Sequence, residues 1–359
     1  MPSPKTKKYK KFLEILREHQ HQNLPYVIYK KPGASFVTAL LQSDSTLETT
    51  FDLRRQGFLM VPFHQEDAKP VFLRGDHIYQ SPYVGPRLNL TRAVAAKNNV
   101  AREIHLELVR KSVASINAGT LKKVVVSRRF SVPAPADRLE SFFEMIRWYP
   151  DAFGYLWYHP EMGTWMGATP ELFLRYHSGV AETLALAGTR PADPDKSLPR
   201  WTPKERHEQQ LVTDYILAQM RDLGLKPQKA DVQDILAGKL WHLGTSIRTF
   251  IDPEMAPKLL SALHPTPAVC GLPRGAAYDF IRKHENFNRE YYTGFLGEVG
   301  LQEADSFELF VNLRCMQFRN GMAYLYVGGG ITAESDPVAE WEETREKSTT
   351  MLSLLENLS

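Results

Sequence analysis

The sequence predicts an α+β fold, and three observations carry that prediction. Apolar runs of strand length and amphipathic helical stretches are mixed without the strict alternation of a doubly wound parallel sheet. From about residue 90 to residue 359 no linker, low-complexity run or compositional break divides the chain. That span is long enough for one domain built on large antiparallel sheets. A single domain over residues 1–359 is the expectation.

In chain order, residues 9–20 read as an amphipathic helix, followed by short apolar runs at 26–29, 58–62 and 71–73. Residues 88–117 predict a long helix with apolar positions at Leu106, Val109, Val113 and Ile116. The β-branched centre of 122–128 reads as a strand. A helix over 138–148 and strands at 154–158, 164–168 and 172–176 come next. Helices are expected at 203–223, 228–238 and 274–284, then strands at 295–301, 306–318 and 321–328. The last helix opens at Asp336-Pro337, a favoured N-cap and N1 pair.

With 43% hydrophobic and 24% charged residues the chain is of globular type. Its net charge of +3 gives nucleic-acid binding no support, and the basic arm over the first eleven residues reads as a frayed terminus. No secretory-type apolar core and no stretch of ~18 apolar residues stands out. Cys270 and Cys315 form no metal or disulfide framework and read as buried thiols. A reduced, cytoplasmic protein without membrane partners is expected.

The residues with chemical content begin at the C-terminus. Gly328-Gly329-Gly330 reads as a turn leading into a helix that sets Glu340, Glu343 and Lys347 on one face. Glu205 and Glu208 repeat the same i, i+3 pair on the helix opened by Pro203. Two such pairs suit Mg²⁺, which takes oxygen ligands and leaves positions for an anionic substrate. Salt-bridged surface helices would carry the same charges.

Glu171, after the turn at Thr169-Pro170, sits among apolar residues that would raise its pKa and make it a general acid. The alternative is a turn residue that reaches solvent. Lys123 leads Val124-Val125-Val126, and desolvation there would let it act as a base. Lys122 must face the other side of the strand, so only one of the two can enter a site. In the segment Leu186–Arg190, Gly188 and Thr189 suit close approach of backbone to a ligand. His242 and His264 each stand near polar turn residues, a setting in which histidine is more often structural than catalytic. Arg314 is a charge inside an apolar strand that needs an anionic partner, and Tyr292 could add a phenol to the same anion. A structural salt bridge from Arg314 to Glu298 or Glu308 is the competing reading.

Eight blocks in order give the chain a resemblance: KVVVSR, GATPELFL, LALAGTR, KERHEQQLV, HPTPAVCGLPR, REYYTGFLGEVG, VNLRC and GGGITAESDP…EWEETREK. Together they resemble the chorismate-utilising family of isochorismate, salicylate, anthranilate and aminodeoxychorismate synthases. The resemblance covers residues 90–359 clearly and residues 1–90 loosely. It implies two large antiparallel sheets packed face to face with helices outside. It implies Mg²⁺ held by Glu208 and Glu343, with Glu205 and Glu340 standing behind them. Arg314 and Tyr292 would grip the enolpyruvyl carboxylate, and Gly188, Thr189, His242, Gly328, Gly330 and Lys347 would complete the substrate pocket. Gly329 stands where the family usually has alanine.

Lys123 resembles the base of the branches that use water, where anthranilate synthases typically carry glutamine. Ala187 stands where aminodeoxychorismate synthases often carry a covalently reacting lysine. The resemblance therefore implies an isochorismate synthase with Lys123 as base and Glu171 as acid, acting without a glutamine amidotransferase subunit and as a monomer. A salicylate synthase, which also eliminates pyruvate, is the rival. The pathway served is either respiratory quinone (menaquinone) or siderophore synthesis.

Overall fold

The computed structural model describes residues 4–83, 99–192, 197–237 and 240–356. Two sheets form the body of the fold. The first has ten strands in the spatial order Lys5–Thr6, His77–Pro82, Phe36–Leu41, Tyr26–Lys30, Phe153–His159, Gly163–Thr169, Cys315–Arg319, Met322–Ile331, Lys123–Pro133 and Gly271–Leu272. The second has nine: Gln228–Lys229, Leu240–Phe250, Val180–Pro191, Leu172–His177, Phe307–Val311, Phe295–Val299, Gly57–Val61 and Val71–Arg74, with Gln233–Ala237 also paired to Leu240–Phe250. Pairing is antiparallel throughout except for Lys5–Thr6.

The sheets meet face to face because their strands are apolar on the inward side. Tyr29, Phe153 and Tyr155 from one sheet pack with Phe58, Leu296 and Phe310 from the other. Phe153 stacks on Phe310 with ring centroids 4.3 Å apart, a contact worth ~0.5–1.5 kcal/mol beyond its buried area. Helices Tyr9–His21, Arg138–Trp148 and Pro337–Glu356 cover the outside of the first sheet. Helices Pro203–Asp222 and Ala256–Leu263 cover the second. Residues 26–82, which resembled the family only loosely, supply strands to both sheets.

The α+β reading holds, with revisions to individual elements. The helix expected over 228–238 is replaced by strands Gln228–Lys229 and Gln233–Ala237 (residue 238 lies outside the described residues). The open edge of Leu240–Phe250 takes them up in register, with Gln233 opposite Gly244 and Ile235 opposite His242, so sheet pairing overrides local preference. The strand expected over 306–318 is two strands, Phe307–Val311 and Cys315–Arg319, belonging to different sheets. Arg314 is therefore a crossover residue at φ +46° and not a charge within a strand.

Gly328-Gly329-Gly330 is the end of a strand, paired to Ser127, Val126 and Val125, and not a turn. Of the helix expected over 88–117, Asn99–Asn117 is helical and 88–98 lies outside the described residues. Strands Phe36–Leu41, His77–Pro82, Val180–Pro191 and Leu240–Phe250 and helix Ala256–Leu263 were not anticipated.

Candidate active site

Two strands cross between the sheets side by side, and the pocket opens at that corner. Gly163–Thr169 passes into Leu172–His177 through Pro170-Glu171, and Phe307–Val311 passes into Cys315–Arg319 through Asn312-Leu313-Arg314. The crossovers are tied by Val311 N–H to Glu171 O at 2.9 Å and Ala168 N–H to Arg314 O at 3.2 Å. Glu171 and Arg314 thus line the same cleft. Burial pushes the Glu171 carboxyl up to about 7, against the opposing charges of Lys123, Lys347 and Arg314.

The floor is the glycine strand beside Lys123–Pro133. Strand alternation turns Val124 and Val126 into the apolar cluster under helix Arg274–His284 and turns Lys123 and Val125 the other way. Lys123 is 0% exposed, and its Nζ forms an ion pair with Glu208 Oε1 at 2.9 Å. Lys122 is exposed, as strand alternation requires. A side chain on Gly330 would run into the Glu208 carboxylate, so glycine there lets helix Pro203–Asp222 approach the strand.

Three carboxylates gather here, each held by a lysine. Glu208 pairs with Lys123; Lys204 Nζ donates to Glu340 Oε1 at 2.5 Å; Lys347 pairs with Glu343 Oε1 at 2.7 Å. Burial would raise the Glu208 pKa, but Lys123, Lys347 and Lys204 together hold it below the usual range. Glu340 is raised by burial and by Glu343 despite Lys204.

Glu205 packs against Gly188 at the cleft's edge, and its carboxylate accepts from Thr202 N–H at 2.8 Å in a capping box and from Arg190 at 3.1 Å. Among the described residues its carboxylate is hydrogen-bonded to the helix cap and to Arg190, not to Glu208 or Glu343. Glu342 is exposed and pairs with Arg345.

Among the described residues no three metal-ligating side chains already surround one point. The residues nevertheless fit a hard cation that expects further oxygens from a substrate. Glu208 and Glu343 both line the cleft, and Glu340 Oε2 is buried without a hydrogen-bond partner, 3.3 Å from where a β-carbon on Gly329 would stand.

The opposite wall is built for an anion. In the strand Val180–Pro191 the register slips between Ala187 and Arg190, and Gly188, at φ +73°, bulges into the cleft with Thr189. His242 Nδ1 lies 2.9 Å from Gly188 O and its Nε2 lies 3.0 Å from Arg314 Nη2. The geometry fits an Nδ1–H tautomer whose Nε2 accepts from Arg314. Burial and the charges of Arg314 and Lys347 drive the His242 pKa down to about 3, so it stays neutral.

Tyr292 lines the cleft and stacks on Tyr326, its phenol pKa raised by burial. Lys347 Nζ reaches Gly328 O at 3.2 Å. Glu298 and Glu308 pair with Lys31, which makes a salt bridge from either to Arg314 unnecessary. His264 lies outside this cleft, half-buried, its Nε2 held near Pro62 O and Phe63 O.

The sequence reading missed Lys204, Ala268 and Val269. The first was hidden in a charged helix start; the other two reach the cleft only through the loop before Gly271–Leu272.

This fold and pocket define a chorismate-type enzyme scaffold: a family model described as chorismate binding enzyme matches residues 60–353. The chain belongs to that family. It is similar to isochorismate synthase EntC of Escherichia coli (31% identity over 259 residues, 69% of this chain and 66% of that protein). It is similar also to the vibriobactin-specific isochorismate synthase of Vibrio cholerae (30% over 319 residues, 82% and 78%). The match to the first of these spans about two thirds of its length. The solved structure of MenF, the menaquinone-specific isochorismate synthase of Escherichia coli, superposes with a TM-score of 0.78 at 23% identity, over 93% of this chain and 89% of that one, and shares the fold. No helix among the described residues is long and apolar enough to cross a membrane.

Proposed function

We propose that this chain is an isochorismate synthase, isomerising chorismate by adding water at ring C2 and expelling the C4 hydroxyl. The observation that supports the reading is a buried carboxyl raised to about 7, Glu171, lining the cleft, with a fully buried lysine, Lys123, against the glycine floor and close enough for its charge to act on that carboxyl. The first can be a proton donor near neutrality, and the second would serve as acceptor only after its ion pair with Glu208 is released and its own proton is given up.

Glu208 and Glu343 would hold Mg²⁺, which when bound would neutralise the ring carboxylate of chorismate. Arg314, kept in place by His242 Nε2, and Tyr292 would hold the enolpyruvyl carboxylate. The N–H and C=O groups of Gly188, Gly328 and Gly330 would fix the ring between them. Lys123 would take a proton from the attacking water, the new C–O bond would form at C2, and the double bonds would shift. Glu171 would then give its proton to the leaving C4 oxygen, which departs as water. The organic atoms are conserved, with one water added and one lost.

Ala187, which has no nucleophile, and Lys123, where the ammonia-using branch carries glutamine, support water as the nucleophile. No amidotransferase subunit is then required. The relatives' names include both a siderophore and a menaquinone branch, and either pathway would use this product.

Incubation of the purified chain with chorismate and Mg²⁺ tests the reading. Isochorismate as the accumulating product is expected; salicylate fluorescence with pyruvate release would make it a salicylate synthase instead.

A further inference from the structure

Of the three lysines on the carboxylate cluster, Lys123 and Lys347 reach the glycine strand that floors the cleft. Lys204 does not line the cleft, and among the described residues its hydrogen bond goes to Glu340 Oε1. Glu340 is 1% exposed, and the same Oε1 also accepts from Ser335 Oγ at 2.7 Å. Its other oxygen, Oε2, is buried and unpartnered, next to the glycine strand and on the same helix as Glu343. One oxygen is therefore pinned twice, while the other is left as an unused ligand beside a cation site.

A third protein carboxylate on a hexacoordinate cation would tighten metal binding and take a position from the substrate. It would also add a negative charge where an anion must bind. Lys204, on the helix that carries Glu208, and Ser335, in the turn before the helix that carries Glu343, hold Glu340 from two sides.

We propose that Lys204 is a positioning residue that, with Ser335, keeps Glu340 out of the metal coordination shell, so that the substrate carboxylate completes it. The inference rests on the reading that Glu208 and Glu343 hold the cation.

Mn²⁺ binding to the purified chain without substrate, followed by EPR of free Mn²⁺, tests it directly. K204M is expected to bind Mn²⁺ about tenfold more tightly than wild type, as an added carboxylate ligand would dictate. K204R, which keeps the pin, is expected to match wild type. In an E340Q background the K204M effect is expected to shrink below about twofold, because the two residues act through one contact.

With Mg²⁺ saturating, K204M is also expected to raise the KM for chorismate more than it lowers kcat. S335A, which removes the other pin, is expected to shift Mn²⁺ affinity in the same direction and provides the test if K204M does not fold. Unchanged or weaker binding in the folded variant overturns the proposal. Equal tightening in the E340Q background does so too, since Lys204 would then act only as a distant charge. Wild-type protein that binds no Mn²⁺ removes the metal reading itself, and the proposal with it.

Discussion

Lys123 Nζ lies 2.9 Å from Glu208 Oε1 beside Gly330, which pairs the proposed proton acceptor with a proposed metal ligand. Both side chains are taken out of water, so each is the other's compensation. Drawing the carboxylate onto a cation would change what Lys123 faces. That relationship links metal binding to base chemistry through one contact.

Substituting Lys123→Met should lower turnover by about 10²–10⁴-fold, the usual worth of a positioned base. It should also strip Glu208 of its closest partner, leaving only Lys347 and Lys204 near, so the metal-free protein should lose less stability than an isolated buried charge would cost, about 3–5 kcal/mol. Urea denaturation with and without Mg²⁺ checks this, and Mg²⁺ should recover part of the loss. Near-wild-type turnover would remove Lys123 from the chemistry.

Glu171→Gln should abolish turnover while substrate binding stays measurable by calorimetry. Its effect on stability should depend on pH. A carboxyl whose folded pKa is raised from 4.5 to about 7 contributes stability below its unfolded pKa and loses it as pH rises through about 7. Glutamine carries no such loss, so the variant should gain on wild type between pH 5 and pH 8 by about 3 kcal/mol. A stability difference that does not move with pH would contradict the burial of this carboxyl as the cause.

The same group sets the alkaline side of the activity profile. Glu171 must carry its proton to donate it, so kcat/KM should fall tenfold per unit as pH rises beyond about 7. His242, already neutral with a pKa lowered to about 3, should leave no inflection between pH 5 and 8. A profile flat to pH 9 would rule out Glu171 as the acid.

Glu343→Gln removes one of the two proposed metal ligands, which line the cleft together with Glu171. The Mg²⁺ concentration for half-maximal activity should rise by about an order of magnitude or more, given the dependence of affinity on ligand charge. Titration of activity against Mg²⁺ measures it; an unchanged requirement would exclude Glu343 as a ligand.

The pattern of the chain was legible where chemistry is local. Asp336 caps the last helix through Ala339 N–H at 2.8 Å, and Glu340, Glu343 and Lys347 share the face that spacing assigned them. Lys123 and Lys122 divide between buried and exposed faces by strand alternation. Elements failed where pairing decides: residues 233–237 became a strand because a neighbouring edge was open, and 306–318 broke because its halves join different sheets.

The sequence by itself determined the α+β class, the family, and the identity of the acid, base and carboxylate candidates, since these reside in residue type and spacing. Only the tertiary structure decided which of them meet. Glu171 and Arg314 are neighbours because two crossovers between sheets run side by side. Glu205, four residues before Gln209 on the same helix as Glu208, is spent on a cap, while Lys204 is recruited to Glu340. Contacts over long sequence separations depend on how sheets and helices are stacked, and local spacing carries no record of that stacking.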